Sequence, residues 1–146
     1  METMNYRPMQ LNDYDAAMSL WRECEGLLLR DADSKAGIER YLERNPGLSF
    51  VAIDRQAIVG SIMAGHDGKR GYIQHLAVAP SARRQGIGSR LVELCLDALK
   101  SQGIEKTHIH VLKENPSGHR YWIARGWIER AETQLFSFIN GDNENA

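Results

Sequence analysis

The chain has 146 residues, 42% hydrophobic and 25% charged, with 13 glycines and 4 prolines, and a mean hydropathy of -0.44. That suffices for one soluble domain on a single core and excludes collagen, coiled coil and wholesale disorder. Eighteen Lys and Arg against nineteen Asp and Glu leave a net charge of -1, without the basic excess of a generic nucleic-acid or anionic-membrane binder, so any anion site must be local.

Met4 to Gln10 is strand-like, and Asn12 or Asp13 then caps a helix with Tyr14, Ala17, Met18, Trp21 and Cys24 on one face. Ser34 starts a second helix, which Asn45-Pro46-Gly47 stops. Leu48 to Asp54, Ala57 to Ala64 and Gly71 to Ala79 read as an antiparallel meander of three strands. After Pro80, the apolar face Ile87, Leu91, Leu94, Cys95, Ala98 and Leu99 makes the best helix of the chain, ended at Gly103. Thr107 to Leu112 is strand-like, Asn115-Pro116 opens a helix through about Arg125, and Gly126 closes it. Trp127 to Asn140 is expected to add one or two strands before a polar tail, Gly141 to Ala146. The expected class is α/β (α+β): a mixed, mainly antiparallel sheet flanked by helices on both faces, in one domain over 1–146 with its core at about 4–139.

Cys24 and Cys95 lie far apart, with no CxxC or Cys/His cluster, and read as reduced core residues. The N-terminal residues lack a signal-peptide stretch and no run reaches the length of a membrane span, so a cytoplasmic protein is expected. His108 and His110 share a strand face, but two ligands without a third fall short of a zinc or iron site, so no metal is expected.

The most informative stretch runs from Leu76-Ala77-Val78, an apolar strand, through Arg83-Arg84-Gln85-Gly86-Ile87-Gly88-Ser89 into the best helix. Amides in a helix's first turn, with its dipole, favour negative oxygens, and the glycines admit a phosphate without a Cβ in the way. The pattern is closer to an anion-binding nest than to a Rossmann turn, which would need glycine where Leu91 stands, or to a P-loop, which would need Gly-Lys-Ser/Thr.

Arg83-x-x-Gly86-x-Gly88, preceded by Leu76-Ala77-Val78, resembles the acyl-CoA signature of the GNAT superfamily of N-acetyltransferases. The resemblance covers about residues 4 to 139, and resembles a bacterial subgroup in its Gly65–Tyr72 and Asn115–Trp127 stretches. It implies a GNAT-like sheet and acetyl-CoA as cofactor, with Arg83 through Ser89 around the pyrophosphate and Leu76, Ala77 and Val78 offering main-chain groups to the pantetheine arm. Asn115 matches a cofactor-touching asparagine, although Asn followed by Pro is also a good N-cap pair on its own. It further implies an amine-bearing acceptor and, by family habit, C-terminal strands that could add to a neighbouring subunit's sheet edge in a homodimer; from the charge balance no nucleic acid or membrane partner is expected.

Acetyl transfer from a thioester to an amine needs an uncharged amine, a stabilised oxyanion and a protonated leaving thiolate. By resemblance, a backbone N–H near Val78 polarises the carbonyl. Where many members carry a tyrosine as general acid, this chain has Trp122, which has no acidic hydroxyl; Tyr121 is its neighbour but one helical step, about 100°, away. Where some members carry a base, this chain has Gln74, with the titratable His75 next to it; strand alternation puts His75 on the face opposite Gln74 and Leu76. His75 and Tyr121 are thus the candidate catalytic pair, with His66 in the loop between strands as another candidate base. Asp31, Asp33 and Glu39 read either as a solvated helix face or as the border of a substrate entrance. The leading reading is direct N-acetylation of a primary amine of a small molecule, protein or peptide; the alternatives are an acyl-CoA sensor without turnover and a binder of another phosphorylated ligand.

Overall fold

The computed structural model describes residues 4–146, which divide into two compact units, one ending at His110 and one running from Val111 to Ala146. In the first, β1 (Met4–Pro8), β2 (Phe50–Asp54), β3 (Ala57–His66), β4 (Gly71–Val78) and β5 (Thr107–Ile109) form one sheet in chain order. The first three pairings are antiparallel and the last is parallel. The parallel pair requires a crossover, supplied by α3 (Ile87–Ser101). Helices α1 (Tyr14–Glu23) and α2 (Lys35–Arg44) lie between β1 and β2 in sequence, joined through a 3-10 turn at Asp31–Asp33.

Neighbouring residues on β3 show which face each helix covers. The Ser61 hydroxyl accepts a hydrogen bond from the Trp21 indole N–H of α1 at 2.8 Å, whereas a Cβ on Gly60 would stand 2.9 Å from Ile87 and 3.1 Å from Leu91 of α3. Successive strand residues point to opposite faces, so α1 and α3 sandwich the sheet, as the sequence leads one to expect. Trp21, Met18, Ile38, Val51, Met63 and Ala77 pack into the core on the α1 side. The β2–β3 hairpin turns at Arg55 and Gln56, both with positive φ (52° and 69°), the geometry of a two-residue turn matched to strand twist.

Element boundaries follow local chemistry. Ser34 caps α2 by accepting from the Gly37 amide at 3.1 Å. Asp13 precedes α1 without capping it through its side chain. Its carboxylate instead takes both Arg7 guanidinium nitrogens at 2.8 Å and the Gln10 amide at 2.8 Å, tying β1 to the entry of α1.

In the second unit, Asn115 caps α4 (Pro116–Ala124) by accepting from the Gly118 amide at 3.0 Å, with proline at the first helical turn. The expected final strands are not found: among the described residues, none from Trp127 onward is in a strand, and β5 also stops at Ile109 rather than Leu112. The doublets Leu135-Phe136 and Phe138-Ile139 break the period of two, so a strand here would need cover on both faces. Phe136 and Phe138 are instead 87% and 88% exposed.

Burial alone would raise the Asp13 pKa, but the Arg7 hydrogen bonds, the Gln10 amide and the Arg7 charge together hold it below its ordinary value. Such a depressed carboxylate stabilises the fold above its unfolded-state pKa, and the contribution is lost as pH falls through the lower folded value. Asp13→Asn is therefore expected to cost about 1–2 kcal/mol at pH 7, in a gap that closes below about pH 4. Urea unfolding of both proteins from pH 7 to pH 3 checks this.

Candidate active site

Strand β4 parts from its parallel neighbour early. Gly71, Tyr72 and Ile73 pair with Thr107, His108 and Ile109, and the register ends there, so Gln74 to Val78 have no described strand beside them on that side. On the β3 side, Ser61 pairs with Ala77 and Met63 with Gln74, so two residues, His75 and Leu76, stand opposite Ile62 alone. This is a β-bulge, and His75 adopts φ +50° within it. A non-glycine residue held in that region costs on the order of 1–3 kcal/mol and persists only where its surroundings fix it. The bulge also corrects the expectation from simple alternation, which assumed a regular strand.

Three contacts fix His75. Its ring lies 4.8 Å from that of Trp21, tilted by 59°. Its carbonyl is 3.4 Å from the Ser61 hydroxyl that Trp21 also engages. Its Nε2 is 2.7 Å from Asp33 Oδ1, in a pair whose side chains are only 11% and 13% exposed. Asp33 thus belongs to neither a solvated helix face nor α2 itself; it sits on the preceding turn. Its Oδ2 accepts from the Arg30 amide at 2.9 Å and its carbonyl accepts from the Tyr14 hydroxyl at 2.7 Å. The turn approaches α2 so closely that a Cβ on Gly37 would meet the Ala32 carbonyl oxygen at 2.1 Å. Burial pushes the Asp33 pKa up, but the His75 bond, the Arg30 amide and the His75 charge together hold it below the ordinary value.

Sequence reading passed over two further groups. The Tyr41 hydroxyl of α2 is buried without a hydrogen bond of good geometry, although Gln74 of β4 is near enough to influence it. Burial pushes its pKa up to about 12, so it is a donor throughout the neutral range. Glu25, just after α1, pairs with Arg83 at 2.9 Å.

Beyond Val78 the chain enters a 3-10 turn at Pro80–Ala82, then Arg83 in extended conformation and Arg84 at φ +66°. Gly86 follows at φ +80° and occupies the N-cap of α3, with no side-chain cap. Alternation of ordinary and left-handed residues turns successive amides toward one concavity, and an uncapped helix start adds its dipole. Arg83, Arg84, Gln85 and Gly86 are exposed, while Gly88 and Ser89 are half-buried. Ile87 is buried against the sheet, so its side chain serves the core and only its amide is left for a ligand. Ala77 is buried and Leu76 and Val78 half-buried; the Val78 carbonyl accepts from Arg83 Nε at 3.1 Å and from the Cys24 thiol at 3.6 Å. Cys24 and Cys95 are both free; burial raises the Cys24 thiol pKa, which keeps it protonated.

The remaining candidates each have partners of their own. His66 ends β3, its ring bonded to Gln102 at 2.8 Å and to the Gly68 amide at 2.9 Å. His108 rests against the Tyr72 ring at 5.7 Å, and no group of three or more His, Cys, Asp or Glu is arranged to hold a metal among the described residues. In the second unit, Asn115 Oδ1 is engaged by the Gly118 amide and the Ser117 hydroxyl. Trp122 is buried, edge-on to Trp127 at 4.8 Å and to Tyr121 at 5.0 Å. The half-buried Tyr121 carries the Arg125 guanidinium over its ring at 4.8 Å.

Residues 14–127 match the model of the acetyltransferase (GNAT) family. An acetyltransferase of Pectobacterium atrosepticum is 37% identical over 112 residues, 77% of this chain and 79% of the relative. In fold, the chain is similar to Ard1 from Thermoplasma volcanium, with TM-score 0.77, 19% identity and coverage of 89% of this chain and 86% of that one. It is similar too to the PaiA N-acetyltransferase from Thermoplasma acidophilum, solved in complex with coenzyme A, with TM-score 0.74, 18% identity and coverage of 85% and 89%. The signature strand, turn and helix lie within the matched span, and the chain belongs to the acetyltransferase (GNAT) family.

Proposed function

We propose that the chain is one N-acetyltransferase domain that transfers the acetyl group of acetyl-CoA directly to a primary amine of a small molecule, protein or peptide. The observation that carries this reading is the continuity of β4 with the cradle: a strand with one open side leads through Arg83 and Arg84 into an uncapped helix start. A family match spanning residues 14–127 supports treating both units as one domain.

The residues present fit coenzyme A. Amides from Arg84 to Gly88 and the dipole of α3 suit a pyrophosphate, and Ser89 lies in the same first turn. The Arg83 and Arg84 side chains add charge. Main-chain groups of Leu76, Ala77 and Val78 suit an amide-bearing arm along the side of β4 that has no described strand, and by family resemblance an amide near Val78 polarises the thioester carbonyl. Asn115 is included on the resemblance of its position to the family's cofactor-touching asparagine, alongside its observed capping role. When bound, acetyl-CoA supplies an activated acetyl thioester, whose C–S bond breaks as the amide C–N bond forms.

That exchange leaves a proton on nitrogen and a negative charge on sulfur. His75, in the bulge beside the open segment, takes the proton from the amine. Tyr121 is the phenol available where the family's usual tyrosine is replaced by Trp122, whose buried indole serves packing instead. It is assigned the role of proton donor to the thiolate.

Purified protein should bind acetyl-CoA and release thiol with at least one amine from a panel of polyamines, amino acids, aminoglycosides and peptides with free N-termini. Arg83→Ala with Gly86→Ala should weaken binding by about tenfold or more, through lost charge and through strain of about 1–2 kcal/mol at a left-handed position. Unchanged affinity would sink the cradle, and binding without thiol release from any amine would move the reading to a sensor. Tyr121→Phe should lower kcat while leaving acetyl-CoA affinity intact. Glu25 is 78% exposed and its partner Arg83 39%, so their pair contributes little stability but competes for the cation the cofactor would use. Glu25→Gln should tighten acetyl-CoA binding by about two- to fivefold at low salt, an effect that fades as salt is raised.

A further inference from the structure

Asp33 and His75 stand 42 residues apart in sequence, yet their side chains meet on the α1 face of the sheet at a strained bulge. An ionised carboxylate has no proton to give, so at Asp33 Oδ1 the imidazole must be the donor, which places the proton on Nε2. In the neutral ring the lone pair is then on Nδ1, for which no protein partner is found among the described residues. Both carboxylate oxygens of Asp33 are committed, Oδ1 to His75 and Oδ2 to the Arg30 amide, while the Tyr14 hydroxyl holds the backbone of the same residue.

We propose that Asp33 is a positioning residue for catalysis: it fixes the Nε2–H tautomer and the ring orientation of His75, so that Nδ1 is presented as the proton acceptor. This rests on the reading of His75 as the base. The proton leaves the acceptor nitrogen for Nδ1 as the C–N bond forms and the C–S bond breaks, giving an imidazolium whose charge lies against the Asp33 carboxylate. The Trp21 indole lies against the ring and the Ser61 hydroxyl holds the His75 carbonyl, neither of them charged, and Tyr14 engages the Asp33 carbonyl. Arg30 and Asp31 are the further charged residues of the same turn. Asp33 therefore serves twice, as an orienter before proton transfer and as a counter-charge after it.

The test combines a spectrum that needs no acceptor with a rate that does. In uniformly nitrogen-labelled protein, the His75 Nε2–H should give a downfield proton resonance protected from exchange, absent in His75→Gln and lost or broadened in Asp33→Asn. With the amine that turns over fastest in the panel, His75→Gln should lower kcat by about a hundredfold or more. Asp33→Asn should lower it by about tenfold or more, with KM for acetyl-CoA within about twofold and partial recovery in Asp33→Glu. If His75→Gln keeps the wild-type kcat, the base assignment falls and the inference with it. If His75→Gln is impaired but Asp33→Asn keeps both kcat and the resonance, the inference alone is overturned. Loss of kcat in Asp33→Asn together with a raised KM, a lowered melting temperature and no recovery in Asp33→Glu would reduce Asp33 to a structural role and overturn it too.

Discussion

The constraint on which the first unit turns is that β4 cannot be a regular strand along its length. Its first three residues pair with β5, and the next two crowd opposite the single residue Ile62. Past the slip the strand keeps only its β3 neighbour in ladder geometry, and the segment from Gln74 to Val78 has no described strand on its other side. An unpaired strand edge ordinarily invites unwanted pairing. Here it is short, and it runs straight into the cationic turn before α3, so the same main-chain groups are well placed to meet a ligand.

The bulge also explains why His75 needs so much support. A left-handed histidine is unfavourable by itself, and the Trp21 ring, the Ser61 bond to its carbonyl and the Asp33 carboxylate hold it from three directions. Trp21 and Ser61 belong to the packed core, whereas Asp33 comes from a turn tied down by Tyr14 and the close approach to Gly37. Rigid elements thus place the ring, and a polar turn sets its hydrogen bonding, the division expected where geometry must be held closely.

Elements whose signal is local were legible in the sequence. The face of α3, the Ser34 cap, the Asn115-Pro116 pair and the meander carry their evidence within a few residues, and the structure puts them where the pattern does. What could not be read depends on distant partners. The bulge has no residue signature in Gln74-His75-Leu76; it is defined only by the register between β4 and β3, a partner distant from the local pattern. Asp33 resembles any acidic residue before a helix until the fold brings it to His75. The segment after Trp127 shows the opposite failure: strand-like composition was overweighted, although its apolar doublets could not alternate between faces.

Strand β4 concentrates its tasks in eight residues: Gly71 to Ile73 anchor β5, His75 occupies the bulge, and Leu76 to Val78 lead to the cradle. A single strand fixes the distance between His75 and the turn before α3, so neither can drift without breaking the ladder to β3. The segment from Cys24 to Ser34 lies outside that ladder. Leu27 and Leu29 pack on the core while Leu28 between them is 54% exposed, and Asp33 alone reaches the bulge. If the chemistry resides on β4, this loop is where acceptor choice can vary at least cost. Changing its exposed residues, Leu28 among them, spares both the sheet and the turn that would hold the cofactor. On that reading a strand that keeps its place would serve different acceptors through substitutions in a surface segment of about ten residues.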